Sequence, residues 1–259
     1  MKLKIYQIDA FASEVFKGNP AAVIPLEKWL SDEVMQKIAE ENNLAETAFF
    51  VKKDELFEIR WFTPKLEVDL CGHATLASAH VIINYLNNNS KTLRFSSKSG
   101  ELNVRKEKDG LVLNFPAKSF NIAKLPDGLF EGLGALPVEL YKNDDYMMIL
   151  DSEKEVRDIN PDFNLLNKVD TRGIIVTAKG DKVDFISRFF APRVGINEDP
   201  VTGSAHTMLI PYWSKRLHKK EMSAQQISAR GGHLHCVDLG ERVEIKGTAV
   251  TYLVGEIKI

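Results

Sequence analysis

The sequence predicts an α+β protein of two similar lobes, each a sheet curled around one buried helix. Three observations lead there. The chain repeats at its midpoint: Arg60-Trp61-Phe62-Thr63-Pro64-Lys65 returns 128 residues later as Arg188-Phe189-Phe190-Ala191-Pro192-Arg193, in a chain of 259. Beyond each copy, Cys71-Gly72-His73-Ala74 is matched by Thr202-Gly203-Ser204-Ala205, displaced by 131 because the later loop carries three more residues. Short strand-like runs fill both halves, and each half holds one long helical segment in its middle. A repeat of two large units means two lobes, since a solenoid needs several short ones.

Taken in order, Lys4 to Phe11 mixes alternation with β-branched and aromatic residues and reads as a strand. Gly18-Asn19-Pro20 signals a turn before a short buried strand at Ala21–Ile24. Ser31 is a candidate N-cap, Asp32 and Glu33 suit a first helical turn, and Val34, Ile38 and Ala39 follow at helical spacing, which predicts a helix over 31–42. Strands at 46–53 and 56–62 lead to a helix from Gly72 to Asn87, and strands follow at 92–97, 100–106 and 110–115. The stretch from Pro116 to Pro137 contains Pro126, Gly128, Gly132 and Gly134 and reads as the passage between lobes. This divides an N-terminal lobe at 1–116, with the last strand near 250–259 as a candidate addition, from a C-terminal lobe at 117–259. The second half repeats the order: strands at 138–142 and 145–150, a helical stretch in 153–168, strands at 172–177 and 182–190, and a helix over about 202–216. Strands at 225–230, 233–238, 241–246 and 249–257 close the chain, with Gly231-Gly232 and Gly240 supplying turns or bulges for curvature.

Composition narrows the function classes. Hydrophobic residues at 44% and charged residues at 27% are ordinary for a globular protein. A net charge of −2, from 34 basic and 36 acidic residues, gives no electrostatic reason to expect nucleic acid or a membrane surface. No apolar run approaches the roughly 20 residues that span a bilayer. The N-terminus reads directly into a strand without the pattern of a secretion signal. Two cysteines do not make a disulfide framework, so the expectation is a reduced cytoplasmic protein.

The paired loops are where chemistry is expected. A helix N-terminus exposes unpaired N–H groups and about half a positive charge, and glycine lets a ligand approach its backbone. Two such ends facing one cleft would hold an anion such as a carboxylate, although each glycine could equally serve tight helix–sheet packing. His73 lies in the first helical turn, where the dipole should disfavour its protonated form. Ser204 holds the equivalent position and offers a hydroxyl and a backbone donor. Asp199, in Glu198-Asp199-Pro200, precedes the second helix and could pair with His73 or with a substrate amine or hydroxyl. Glu46 stands in the neutral, largely apolar run Asn43-Leu44-Ala45-Glu46-Thr47-Ala48-Phe49-Phe50. Lost solvation would raise its pKa and make it a usable acid/base near neutrality. Taken singly, each residue has a plain structural role open to it: Glu46 at a strand edge, Asp199 and Ser204 as caps, His73 in packing.

The runs Asn43–Phe49, Arg60–Pro64, Asp69-Leu70-Cys71-Gly72-His73-Ala74-Thr75 and Glu198-Asp199-Pro200-Val201-Thr202-Gly203-Ser204-Ala205 resemble the signature of the PhzF phenazine-biosynthesis-like family. Phe16-Lys17-Gly18-Asn19-Pro20-Ala21-Ala22-Val23 is similar to its N-terminal motif, and the likeness covers essentially the whole chain. The resemblance implies a diaminopimelate epimerase-like fold: two pseudo-symmetric lobes, each a curved, mostly antiparallel sheet around a central helix. It also implies no metal, no organic cofactor and a homodimer. By motif, Glu46 corresponds to the family's catalytic acid/base, and His73, Asp199 and Ser204 to residues that surround the substrate and assist proton transfer.

Epimerase relatives use two thiols, one on each helix-opening loop. Cys71 occupies one such position, but Thr202 stands at the other, and a hydroxyl is far too weakly acidic to replace a thiolate. Cys71 is therefore expected to be a small packing residue. His233, His235 and Cys236 hint at a metal, but no carboxylate completes the set nearby. The expected function is a cofactor-independent isomerase. Glu46 moves a proton on a small carboxylate substrate, which binds at Gly72, His73, Thr202, Gly203 and Ser204. A racemase using Glu46 with Asp199 or His73, and a non-catalytic metabolite-binding protein, are the alternatives.

Overall fold

The computed structural model describes all residues 1–259, which fold as two units. In chain order the elements are β1 (Lys2–Ala10), β2 (Asn19–Leu26), α1 (Asp32–Asn42), β3 (Glu46–Lys53), β4 (Leu56–Phe62), β5 (Glu67–Val68), α2 (Gly72–Tyr85), β6 (Thr92–Ser97), β7 (Gly100–Glu107) and β8 (Gly110–Pro116). Then come β9 (Asn121–Ile122), α3 (Leu129–Leu133), β10 (Glu139–Lys142), β11 (Tyr146–Ile149), α4 (Glu153–Asp158), α5 (Phe163–Leu166), β12 (Ile174–Lys179), β13 (Phe185–Ala191) and β14 (Ile196–Glu198). The chain closes with α6 (Gly203–Leu217), β15 (Glu221–Gln226), β16 (Gly232–Asp238), β17 (Arg242–Gly247) and β18 (Ala249–Lys258). The first unit comprises Met1–Phe115 and Glu244–Ile259, and the second Pro116–Val243. The return of the C-terminus begins at Glu244 because β17 pairs with β8 and β18 lies antiparallel along the whole of β1.

The fold is α+β, and the ladders are mostly antiparallel, as expected. In the first unit β1 joins β18 to β2, β3 pairs with β4, and β6, β7 and β8 form a meander. Two pairs are parallel, β2 with β3 and β4 with β6. Each spans a helical crossover: α1 lies between β2 and β3, and α2 between β4 and β6. The second unit repeats this order, with β11 parallel to β12, β13 parallel to β15, and α6 in the second crossover. Both long helices are buried nearly all round: α2 from Gly72 to Ala79, and α6 at ten of its fifteen positions. Pro211 inside α6 removes the N–H that would bond to Thr207, and that carbonyl accepts from Lys118 N–H instead at 3.0 Å.

The repeated arginine has a shared task. Arg60 Nε and Nη2 donate to the two carboxylate oxygens of Glu67 on β5 at 2.7 and 2.8 Å. Arg188 does the same to Glu198 on β14 at 2.7 and 3.0 Å. In each unit the guanidinium also lies over a phenylalanine, Phe62 or Phe190. Bidentate pairing of this kind fixes geometry as well as adding energy, and here it anchors the loop that feeds the central helix.

Several elements differ from expectation for identifiable reasons. The helical stretch 153–168 breaks into α4 and α5: Ile159 leaves the helical region at φ −57° and ψ 121°, and Pro161 disfavours that region for Asn160. Within 116–137 two of the three glycines are helix caps: Gly128 and Gly134 take positive φ on either side of α3, while Gly132 lies inside it, packed against Leu166. The strand expected at 225–230 lies at Glu221–Gln226, where the inward positions are Met222, Ala224 and Gln226. A buried glutamine interrupts the apolar alternation from which register is read.

Candidate active site

In the first unit Glu46 opens β3, in parallel register with Ala21, and is only 9% exposed. Asn43, left-handed at φ 48°, ends α1 and turns the chain into that strand. His73 is the second residue of α2 and is 4% exposed. The two side chains meet: His73 Nε2 lies 3.1 Å from Glu46 Oε2. They meet as a buried ion pair, and neither atom has any other polar partner. Buried polar atoms are rarely left so, and an exception marks a place where something else is to be bound or moved.

The other edge of the ring is occupied. Asn19 Nδ2 lies 3.1 Å from His73 Nδ1, and Cys71 Sγ lies 3.5 Å from the same nitrogen. Asn19 reaches this point because Gly18 takes φ +64°, where an added Cβ would sit 2.1 Å from the Ala10 carbonyl oxygen. Burial opposes charge on His73, while a thiolate at Cys71 and the Glu46 carboxylate would each favour it and raise its pKa well above the ordinary value; with Cys71 protonated, Glu46 is the cause that remains. This reverses the expectation from the helix dipole: a carboxylate at 3.1 Å outweighs a terminus dipole worth roughly 0.3–1 kcal/mol. Burial, with Glu46 adding to it, pushes the Cys71 thiol up to about 11, so it is protonated at neutrality. Cys71 is buried as expected, yet it touches the ring as well as packing.

Glu46, Cys71 and His73 offer ligand atoms within 4.8 Å of one another, a set chemically suited to a thiophilic cation. Their arrangement does not suit one: the thiol faces Nδ1 and the carboxylate faces Nε2, on opposite edges of the ring. His233 and His235 are exposed on one face of β16, and Cys236 is buried on the other, so those three do not converge.

The second unit, taken by itself, builds its equivalent loop differently. Thr202 Oγ1 donates to Asp199 Oδ2 at 2.5 Å. Gln226, fully buried, holds the loop closed: it accepts from Thr202 N–H at 2.8 Å and donates to the Asp199 carbonyl at 2.7 Å. At the start of α6, Ser204 Oγ accepts from Arg172 Nη2 at 3.2 Å. Arg172 is itself gripped by Asp145, which is 1% exposed and accepts from Nε at 2.9 Å and from Nη2. Gly173 permits this, since a Cβ there would lie 2.2 Å from the Phe189 ring and 3.0 Å from Asp145 Oδ1. One turn into α6, His206 Nδ1 bonds the Thr202 carbonyl at 2.8 Å while Nε2 has no partner. Burial lowers its pKa to about 4, so it is neutral. Neither α2 nor α6 has a side chain capping its N-terminus.

The structure therefore joins Glu46 to His73, and Asp199 to Thr202, as local clusters. Sequence reasoning passed over Asn19, Asp145, Arg172 and Gln226 as functional positions. Asn19 did stand within a flagged turn and motif. The other three carry no sequence signal, because their partners are distant in the chain.

Comparison with known proteins agrees. The family model for phenazine biosynthesis-like proteins, PhzC-PhzF, matches residues 8–255. An uncharacterized isomerase of Pseudomonas aeruginosa is 54% identical, with 100% of each chain covered. A crystal structure of a PhzF-family protein from Enterococcus faecalis is 50% identical with TM-score 0.96, covering 100% of each chain. A predicted epimerase of Pseudomonas aeruginosa shares the fold at 18% identity and TM-score 0.75, over 98% of this chain and 99% of that one. The same helix-opening loops thus carry two different sets of polar side chains on an epimerase-like scaffold, and the chain belongs to the phenazine biosynthesis-like PhzC-PhzF family.

Proposed function

We propose that this protein is a cofactor-independent isomerase in which Glu46 alone carries a proton between two positions of a small carboxylate-bearing metabolite. The observation that carries the reading is the buried pair Glu46 Oε2 and His73 Nε2, 3.1 Å apart and with no other polar partner on either atom. Glu46 takes a proton from carbon and returns it on the same face of the substrate. His73, with its raised pKa, donates from Nε2 to the oxygen or nitrogen on which charge develops. The uncapped N–H groups at Gly72–His73, beside Glu46 in the same unit, are assigned to the substrate carboxylate. The name isomerase borne by the Pseudomonas aeruginosa relative supports the reaction class.

A thiol mechanism has little support. Cys71 keeps its proton to about pH 11, and Thr202 at the paired position offers no second thiol. A single carboxylate suits a prototropic shift better than exchange between two faces. In the same reading the protein acts in the cytoplasm as a homodimer.

The test is to incubate the protein in D₂O with a library of cyclic and acyclic hydroxy- and amino acids, following isomer formation and deuterium at carbon. Conversion that is lost in Glu46→Gln supports the proposal. Ligands that bind without conversion or exchange would make the protein a binder, and conversion surviving Glu46→Gln would exclude the glutamate.

A further inference from the structure

Asn19 has no exposed surface and stands at the start of β2, opposite Ala10 of β1. Its amide is 3.1 Å from His73 Nδ1, and the Cys71 thiol reaches the same nitrogen at 3.5 Å. A neutral imidazole has one N–H and one bare nitrogen, and the neighbours decide which is which. Here an amide N–H and a protonated thiol both present hydrogens to Nδ1, so Nδ1 is the bare nitrogen and the proton resides on Nε2. Asparagine has a further property that alanine and aspartate lack. When the ring takes a second proton, the amide can turn over and present Oδ1 to the new Nδ1–H, so the ring itself does not rotate.

We propose that Asn19 is a positioning residue that fixes the Nε2–H tautomer of His73, so that the ring titrates at Nδ1 and always keeps a proton on the Glu46 side. The consequence for catalysis rests on the reading of Glu46 as the proton carrier. The tautomer itself does not, and it is measured on the free protein. The titratable groups bearing on the ring are Glu46 from β3 and Cys71 from its own loop; β2 supplies only the neutral Asn19. From β1, Asp9 accepts from Phe16 N–H at 2.8 Å.

The experiment is a pH series of two-bond proton–nitrogen spectra on ¹⁵N-histidine-labelled protein, with His73 assigned from the spectrum of His73→Gln. In the wild type, above its midpoint, His73 should show a bare Nδ1 and a protonated Nε2. Asn19→Asp places an acceptor at Nδ1. It should move the neutral ring's proton to Nδ1 and raise the midpoint by about one to three units. Asn19→Ala should leave a mixture of tautomers. A merely structural role for Asn19 would change thermal stability without moving either quantity. Protonated Nδ1 in the neutral wild type overturns the proposal, as does a ring that stays doubly protonated up to alkaline unfolding. So do variants that leave tautomer and midpoint unchanged. Should neither variant fold, the wild-type tautomer decides alone.

Discussion

The loops that open α2 and α6 descend from one repeated pattern, have the same arginine–glutamate anchor, and end in opposite electrostatics. In the first unit the position after the helix-opening glycine is His73, set against a carboxylate. In the second it is Ser204, set against the guanidinium of Arg172. The histidines near the two helix starts make the contrast quantitative. His73 and His206 are both buried, 4% and 0% exposed, and both lie within the first turns of long helices. Yet the pKa of His73 is raised, and that of His206 falls to about 4. Burial and dipole act alike on both, so the neighbours decide. Opposite charges at 3.1 Å attract by about 5 kcal/mol at an effective dielectric near 20, before desolvation is subtracted. His206 has the Phe185 ring and a carbonyl beside it, neither of them charged. Proton chemistry is therefore expected in the first loop, and fixed hydrogen bonding in the second.

The most severe way to break this contrast is Glu46→Gln. Glutamine keeps the volume but cannot carry a proton, so kcat should fall by ~10²–10⁴-fold with ligand affinity largely kept. A fall confined to KM would move Glu46 from proton transfer to binding.

Next in size are changes to stability in the second unit. Gln226→Leu would strand the Thr202 N–H and the Asp199 carbonyl, each left unsatisfied at about 1–3 kcal/mol. Urea unfolding should record a loss of a few kcal/mol; a loss under about 0.5 kcal/mol would mean water replaces the amide. The pH dependence has opposite signs in the two loops. His206 titrates near 4 when folded and near 6.5 when unfolded, so its contribution is present above pH ~6.5 and lost as pH falls towards 4, up to about 3 kcal/mol. His73 is raised, so its contribution is present below pH ~6.5 and lost as pH rises through its elevated value. Stability profiles of His206→Gln and His73→Gln should flatten the acid and alkaline sides respectively, and a shared flattening on one side would contradict the contrast.

Much of this was legible from residues alone. The repeat located both central helices within two residues at each end, because buried helices of this length carry a strong composition signal and open at glycine. Ser31 capped α1 as its residue type demands, its side chain accepting from Val34 N–H at 3.4 Å. Glu46 and His73 stood out because charge and imidazole are rare within apolar runs. What sequence did not disclose was pairing across the chain: Asn19 with His73, Asp145 with Arg172, Gln226 with the loop 199–202. These partners lie 24 or more positions apart and meet only through sheet register. The helix dipole predicts the opposite direction for His73, because the charge that remains beside it, with Cys71 protonated, is that of Glu46, 27 positions earlier.

The smallest expected effect carries the central claim. Cys71→Ala removes a thiol that is already protonated and donates at most one weak hydrogen bond to Nδ1, so turnover should change by less than about tenfold. The decisive measurement is therefore the rate of isomer formation, with deuterium incorporation at carbon, for Glu46→Gln and Cys71→Ala assayed side by side on one substrate in D₂O. Glu46→Gln should lose both while Cys71→Ala retains both. A Cys71→Ala protein as impaired as Glu46→Gln would contradict this expectation and make the thiol, not the carboxylate, the group that moves the proton.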